Sequence, residues 1–198
     1  LPYHWAMWNL IWKEVKNVSF KYQGQLSGGK ENPVMLKVRI ANSQTVAAGE
    51  AVKLQALSSG GGVMRATAGS QVLGIVDGIV NADGIDLDNA NISTYDGTWT
   101  SNTKTYAAAS DNMTDKGVSV LVIVDKEAVF TNDSAGTLVA ADELKYFDLT
   151  SATQIADQDG HDTAGAFILI KRDPIGDGDA SQGAFKIAES ELDAYAQQ

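Results

Sequence analysis

The run Val118–Val124 constrains the fold of this chain more than any other segment. Its sequence, VSVLVIV, is apolar and rich in β-branched residues. β-Branched residues favour strands, and an apolar run of this kind is typical of a strand that is buried on both faces. Such a strand needs neighbours on both sides. The run therefore predicts a β protein with a central strand at this position.

Shorter segments elsewhere show β patterns too. Residues 35–40 (MLKVRI) alternate apolar and polar side chains, which is typical of a half-buried strand. Further strands are predicted at Ala51–Leu54, Val72–Val76, Leu144–Leu149, Ala166–Ile170 and Phe185–Ile187, and Ala128–Phe130 is expected to continue or pair with the central strand. A turn is predicted at Gly60–Gly62, and a terminal helix over 189–196. This pattern predicts a mainly β fold, a small β-barrel or β-sandwich.

Two parts of the chain resemble each other. Val46–Leu54 (VAAGEAVKL) matches Val139–Tyr146 (VAADELKY) in order and composition. Thr-Ala-Gly then precedes an apolar strand in both parts, at 67–69 and at 163–165. One interpretation is an internally duplicated unit of strand, tight turn, strand and buried strand. The other is chance recurrence in a chain rich in Ala, Gly and Val.

The first 33 residues differ from the rest of the chain. They hold three of the four tryptophans and end in a glycine-containing stretch that is typical of a linker. Helical spacing places four apolar side chains on one face: Trp5, Trp8, Trp12 and Val15. These four are the candidate partner-binding residues. We predict an N-terminal arm and linker over 1–33, which either folds back on its own domain or docks on a neighbour.

The remaining residues, 34–198, are predicted to form one β domain. Within it, residues 81–117 are polar and rich in small side chains. A bare loop of this length is uncommon, so we expect an insertion or long excursion with short hairpins. Trp99, flanked by threonines, is expected to be a strand residue that packs on the body.

Composition excludes several kinds of partner. With 25 acidic and 15 basic residues the net charge is −10, and no basic cluster offsets it, so nucleic-acid binding is disfavoured. The chain has no cysteine, which excludes disulfides and thiolate metal sites. No segment reaches the roughly 18–20 apolar residues that cross a bilayer, so no membrane partner is expected.

Residues with catalytic potential are scarce. The two histidines, His4 and His161, lie in the aromatic arm and in a polar turn, where packing and solvation are the simpler roles. Asp125 and Glu127 are two residues apart on a predicted strand, and either form an acid pair suited to glycoside hydrolysis or cap the strand end.

Two acidic loops, at 83–89 and 173–179, are candidate calcium sites. In the second, Gln182 and Ala188 stand where an EF-hand needs Gly and Glu, so solvated turns are the simpler interpretation. No phosphate-binding glycine loop or nucleophile elbow occurs in the sequence. We therefore predict no catalytic, cofactor-binding or metal-binding residues, and a protein that is not an enzyme.

Four short motifs resemble the small β-barrel head decoration (capsid cement) proteins of tailed phages, over 40–187: Ala48–Val52, Val72–Val76, Val120–Asp125 and Gly183–Ile187. The resemblance implies a structural virion protein on the outer capsid surface that stabilises the shell against genome pressure. Its implied partners are the major capsid protein and neighbouring copies of itself, as a homo-oligomer with a trimer favoured. No catalytic residue or cofactor is implied. The arm and the 81–117 excursion depart from the compact members of the family.

An alternative hypothesis belongs to a different functional class. Three aromatic residues of the excursion, Tyr95, Trp99 and Tyr106, have the ring faces on which sugars stack. A carbohydrate-binding or adhesin-type module, of a phage fibre or a cell surface, would use them in this way.

Overall fold

The computed structural model describes residues 19–26, 32–90, 97–112, 117–150, 156–157, 165–174, 176 and 178–188. In this part of the chain the strands are β1 (Lys21–Gln25), β2 (Met35–Arg39), β3 (Thr45–Ala47), β4 (Ala51–Leu54), β5 (Val63–Arg65), β6 (Gly74–Val80), β7 (Thr98–Thr100), β8 (Thr105–Ala107), β9 (Ser119–Ile123), β10 (Ala128–Asp133), β11 (Tyr146–Leu149), β12 (Ala156–Asp157), β13 (Phe167–Arg172) and β14 (Gln182–Ile187). Short 3-10 helices span Leu57–Ser59, Ser101–Thr103 and Ala140–Asp142. The predicted mainly β fold is confirmed. The predicted helix at 189–196 lies outside the described residues.

The described strands pair in three antiparallel sheets. Their orders are β1-β10-β14-β13-β11-β12, β2-β9-β6-β4-β5 and β3-β8-β7. No closed barrel is formed among them. The five-stranded sheet comes nearest to closure, because its edge strands β2 and β5 meet at a single parallel bridge between Ile40 and Val63. One bridge is not a ladder, so the sheet has two edges.

The run Val118–Val124 forms β9, which pairs with β2 on one side and β6 on the other. Its side chains enter two different cores: Val120 and Val122 belong to one buried cluster, and Ile123 belongs to the other. The strand is therefore buried on both faces, which confirms the prediction made from its continuous apolar character.

The five-stranded sheet packs against both of the other sheets. On one face Ala51, Ile75 and Ile123 share a core with Phe130 and Phe167 of the six-stranded sheet. On the other face, Val52, Val76, Val120 and Val122 share a core with Val46 and Tyr106 of the three-stranded sheet. Adjacent residues such as Ala51 and Val52 thus point into different cores, as the alternation of a strand requires.

The two larger sheets repeat one strand order. In the five-stranded sheet it is β2-β9-β6-β4-β5, and in the six-stranded sheet β10-β14-β13-β11-β12 follows the same connections, with β1 added outside β10. Both sheets contain a register irregularity between corresponding strands, at Val76/Gly78 in one and at Leu169/Lys171 in the other.

A tight turn precedes β4 and β11 in the same way. The Gly49 N–H donates to the Val76 carbonyl at 2.7 Å, and the Leu144 N–H donates to the Leu169 carbonyl at 2.7 Å. The φ angles of Gly49 and Leu144 are +79° and +67°. The pairing therefore places Gly49 at the position of Leu144, and Val76 at that of Leu169.

One strand assignment made from sequence is wrong. Residues 128–130 neither continue β9 nor pair with it; they begin β10, which pairs with β1 and β14 in the other sheet. The chain crosses between sheets in a turn, where the Ala128 N–H donates to the Asp125 carbonyl at 3.1 Å. The predicted strand at Val72 begins two residues later, at Gly74, although Val72 and Leu73 are buried.

Part of the 81–117 segment extends the body. β7 and β8 form a hairpin, and β8 pairs with β3 to make the three-stranded sheet. Trp99 lies in β7 and packs against the core beneath it, as predicted.

Candidate interaction surface

Four exposed apolar side chains lie around the ends of β1 and β2. Leu26, Val34, Met35 and Leu36 are 42%, 60%, 41% and 45% exposed. They account for four of the seven large apolar side chains exposed in the described part of the chain. Val34 and Leu36 lie on one face of β2 and Met35 on the other, so that exposed apolar side chains flank the strand on both faces. Exposed apolar side chains that are grouped in this way are typical of contact sites. We call these four residues the β2-edge patch.

The turn after β9 fixes the position of this patch. One carboxylate oxygen of Asp125 accepts hydrogen bonds from the Gln25 side-chain amide at 2.8 Å and from the Val34 N–H at 3.2 Å. Its other oxygen accepts from the Glu127 N–H at 2.9 Å. The Leu26 N–H donates to the Glu127 carbonyl at 2.9 Å. Asp125 thus ties the end of β1 and the start of β2 to one turn.

This geometry corrects the hypothesis of an acid pair on a strand. Asp125 and Glu127 lie in the turn between β9 and β10, not on a strand. The Asp125 carboxylate accepts hydrogen bonds from three groups of the turn and the adjoining strand ends. Of the two interpretations, the capping role agrees with these contacts.

The β2-edge patch is not evident from the sequence pattern alone. The alternation of 35–40 predicts one apolar face, formed by Leu36, Val38 and Ile40, to be buried, and only Ile40 is fully buried. A sequence signal did exist: Val34, Met35 and Leu36 are three apolar residues in a row, so an alternating strand on a sheet edge must expose part of them.

Positive charge accompanies the apolar side chains on β2. Lys37 and Arg39 lie on this strand, whereas the chain as a whole carries a net charge of −10. The Lys37 ammonium group donates to the Ala82 carbonyl at 2.7 Å, which ties β2 to the turn after β6. β2 itself therefore carries two positively charged side chains on a molecule of net negative charge.

The predicted partner-binding residues of the arm, Trp5, Trp8, Trp12 and Val15, lie outside the described residues, as does His4. The described chain begins at Ser19, followed by Phe20, which is 3% exposed and stacks on Phe167 with ring centroids 4.6 Å apart. Residues 19–26, which the sequence analysis assigned to arm and linker, therefore contribute β1 and a core aromatic ring to the six-stranded sheet.

Of the three aromatic residues in the sugar-binding hypothesis, two lie within the described residues, and they differ in burial. Tyr106 is fully buried, so its ring has no face for a ligand. Trp99 is half-buried, and its indole N–H donates to Asp88 at 3.2 Å. Asp88 also forms an ion pair with Lys104, which fixes the surroundings of the indole ring. Tyr95 lies outside the described residues.

In the second acidic loop, at 173–179, two carboxylates accept hydrogen bonds from the loop itself and from the adjacent Ser181. Asp173 accepts from the N–H groups of Gly176 and Gly178 at 2.9 and 3.3 Å. Asp179 accepts from the N–H and hydroxyl groups of Ser181. Across the described ranges, no group of three or more His, Asp or Glu side chains is arranged to hold a metal ion. Asp177 and His161 fall outside those ranges.

One buried carboxyl group has a shifted ionisation equilibrium. Burial raises the pKa of Glu50, although the Ala47 N–H, which donates to it at 3.0 Å, and the Arg65 guanidinium act in the opposite direction. Arg65 forms an ion pair with Glu50. The pair links the turn before β4 to β5, which is a structural role.

Comparison of the chain with protein-family models, with curated proteins and with solved structures finds no match. Within the described residues, no helix has the length and apolar character that crossing a bilayer requires.

Proposed function

We propose that this chain is a structural protein that binds other protein surfaces, on the outside of a tailed-phage capsid, where it stabilises the shell. The observation that carries the proposal is the β2-edge patch, which groups four of the seven large apolar side chains exposed in the described part of the chain. Exposed apolar area costs about 25 cal/mol per Å², a cost that contact with a partner removes. The capsid, as the surface that is bound, comes from the resemblance to head decoration proteins.

The proposal includes a finer description of the fold. A sandwich-like body built from an internally duplicated unit accounts for the shared strand order, the shared register irregularity and the shared turn hydrogen bond. A rigid body of this kind suits a protein that bears load between larger subunits. It needs no catalytic residue, and the proposed function is not enzymatic.

The N-terminal arm is the proposed anchor. Aromatic residues dominate the energetics of many protein interfaces, and Trp5, Trp8 and Trp12 concentrate them in one segment. The arm joins the body at Ser19, where Phe20 is held in the core. Many copies, each bound weakly, would together hold a shell firmly through multivalency.

Sedimentation with capsid shells from the same source tests this proposal. The informative variant lacks residues 1–18, because deletion beyond that point would remove Phe20 and β1 from the folded body. We expect the full chain to sediment with the shells and the truncated chain to stay in the supernatant with an unchanged unfolding transition. A full-length Trp99→Ala variant is the control, and should still sediment.

Two results would contradict the proposal in different ways. If the truncated chain sediments as well as the full chain, the arm is not the anchor. If neither sediments, the capsid is not the partner.

A carbohydrate-binding function is the second candidate, and the partly exposed Trp99 ring in β7 is the observation in its favour. The burial of Tyr106 counts against it, since one of the three proposed stacking faces is lost. A glycan array is the direct measurement. Selective binding that disappears in Trp99→Ala would favour this function over capsid binding.

A further inference from the structure

We propose that the outer edge of β2 pairs with β2 of a second copy of this chain, so that two five-stranded sheets join across a twofold axis. The inference goes beyond capsid binding, because it concerns the isolated protein and names both the surface and its partner. It is carried by three observations: the open edge of β2, the covered edge of β10, and a self-complementary register.

Among the described residues, no strand pairs with the outer edge of β2 at Met35 and Lys37, although the chain just beyond β2 bridges to Val63. β2 pairs with β9 without a register shift, and the Val124 N–H donates to the Val34 carbonyl at 2.9 Å. Because hydrogen bonding alternates along an antiparallel strand, Leu36 also faces β9, whereas Met35 and Lys37 direct their N–H and C=O groups outward. An open edge of this kind is a template for another strand.

The corresponding edge in the other sheet is covered. Leu36 pairs with Val122, which pairs with Val76 beside the register irregularity of the five-stranded sheet. In the six-stranded sheet, Phe130 pairs with Phe185 of β14, and Phe185 pairs with Leu169 beside the register irregularity of that sheet. Since Val76 and Leu169 occupy the same position, Leu36 corresponds to Phe130.

This correspondence identifies what β1 does for the six-stranded sheet. β1 pairs with residues 128–131 of β10, and Ala128 and Phe130 are fully buried there. The corresponding residues of β2 are 34–37, where Val34 and Leu36 are 60% and 45% exposed. The exposed residues of β2 are thus the ones that an added antiparallel strand would cover.

A second copy can pair with this edge with Leu36 at the twofold axis, and this is the register that we propose. With Leu36 opposite Leu36 of the other copy, Val34 lies opposite Val38 on the same face. Met35 then lies opposite Lys37, so that the two Lys37 side chains are diagonal to each other rather than directly opposed. The outward-facing groups of Met35 and Lys37 form the inter-chain hydrogen bonds. Apolar cross-strand pairs stabilise such contacts, and an isologous interface satisfies both edges at once.

The contact is short, so the affinity is modest. Stable protein interfaces bury about 1,200–2,000 Å², and a ladder centred on five residues buries less. We expect a dissociation constant in the micromolar range. The predicted species is a dimer, which separates this contact from the trimer that the family resemblance implies.

Cross-linking through a single cysteine tests the register directly. The chain contains no cysteine, so Leu36→Cys introduces one thiol per copy. Directly opposed residues of an antiparallel pair have Cβ atoms about 4.5–5.5 Å apart, close to disulfide distance. Mild oxidation should convert most of this variant to a covalent dimer. Ile85→Cys, at a residue of similar exposure (46%), is the matched control and should not cross-link.

Sedimentation equilibrium of the unmodified chain supplies the second test. Leu36→Lys places two lysines opposite each other, and should weaken dimerisation at least about tenfold. Ile85→Lys should leave it unchanged. An unmodified chain that remains monomeric at high micromolar concentration, or forms only trimers, would overturn the proposal. So would a Leu36→Cys variant that cross-links no faster than the Ile85→Cys control.

Deletion of residues 1–18 decides between the second copy and the arm as the occupant of this edge. The proposal expects the truncated chain to dimerise as the full chain does. Dimerisation that appears only after the deletion would mean that the arm covers β2, and would also overturn the proposal. None of these measurements involves a capsid, so their failure is distinct from failure of the proposed function.

Discussion

The two larger sheets of this protein share one strand order but differ in whether a further strand covers the corresponding edge. In the six-stranded sheet, β1 covers β10, and Tyr22 of β1 packs edge-on against Phe130 with the ring centroids 6.1 Å apart. In the five-stranded sheet, the corresponding strand β2 has no strand outside it among the described residues, and Leu36 is 45% exposed. The N-terminal segment thus completes one sheet and leaves the other with an interaction edge.

The turns before β4 and β11 also differ in whether the N-terminal segment lies against them. A side chain built at Gly49 would come within 2.7 Å of the Ser19 Cβ atom and 3.0 Å of the Phe20 carbonyl. Leu144, at the corresponding position, is 73% exposed. Glycine is needed where the N-terminal segment crosses the turn, whereas the exposed copy of the turn accommodates a leucine at a positive φ angle.

The largest expected effect distinguishes the covered edge from the open one. Phe130→Ala should lower the free energy of unfolding by about 3–5 kcal/mol, because it leaves a cavity in the core. Leu36→Ala, at the corresponding position of the other sheet, should cost the monomer less than about 1 kcal/mol, since the side chain is half in water. Urea unfolding at low protein concentration measures both. Equal losses would contradict the difference in burial between the covered edge and the open one.

A smaller effect is expected at the two turns. Gly49→Ala should destabilise the protein by more than about 1 kcal/mol, because of the positive φ angle and the close contact with Ser19. Leu144→Gly should stabilise it by up to about 1 kcal/mol by relieving the left-handed conformation. Thermal unfolding would detect these changes as shifts of roughly 2–4 °C per kcal/mol. A destabilised Leu144→Gly variant would contradict this explanation of the turn.

The smallest effect is on the pH dependence of stability. Burial raises the pKa of Glu50 above its ordinary value of 4.5, so the folded state binds a proton more tightly than the unfolded state. The resulting contribution to stability is fully present below pH 4.5 and is lost as pH rises through the raised pKa. Glu50→Gln should remove this dependence of the free energy of unfolding on pH.

Lys145 occupies the corresponding place in the other sheet, where its ammonium group lies 3.6 Å from Asp142 and its side chain is 41% exposed. The buried carboxyl group is thus a feature of the turn before β4 alone among these two turns. If Glu50→Gln preserves the pH dependence over the same pH range, Glu50 is not its source.

Much of the strand pattern was predictable from local sequence. The apolar run Val118–Val124, the alternating segment 35–40 and the glycines at 60–62 each gave the correct element. These patterns depend on a residue and its near neighbours, which is why a single sequence reveals them. The internal resemblance was visible too, but Gly49 was matched with Asp142, whereas the pairing places it with Leu144. Short Ala-rich motifs align in several registers, and hydrogen bonding selects one of them.

The candidate site was much less predictable. A period-two pattern indicates which side chains share a face, but not which strand will be the neighbour. The segment 128–130 was therefore placed beside β9, although it lies in the other sheet. For the same reason the pattern does not reveal the exposed edge of β2, because the exposure of Val34 and Leu36 depends on which strands lie beside β2, and among the described strands none lies outside it.

The sequence by itself determined that this chain is mainly β, where most of its strands lie, and that its central strand is buried on both faces. Side-chain size, branching and alternation are local properties, and they are sufficient for those conclusions. The tertiary structure alone decided which strands become neighbours, and that residues 21–25 complete one sheet while β2 remains an edge. Those outcomes depend on contacts between residues about a hundred positions apart, such as Gln25 with Asp125, whose energies no local pattern encodes.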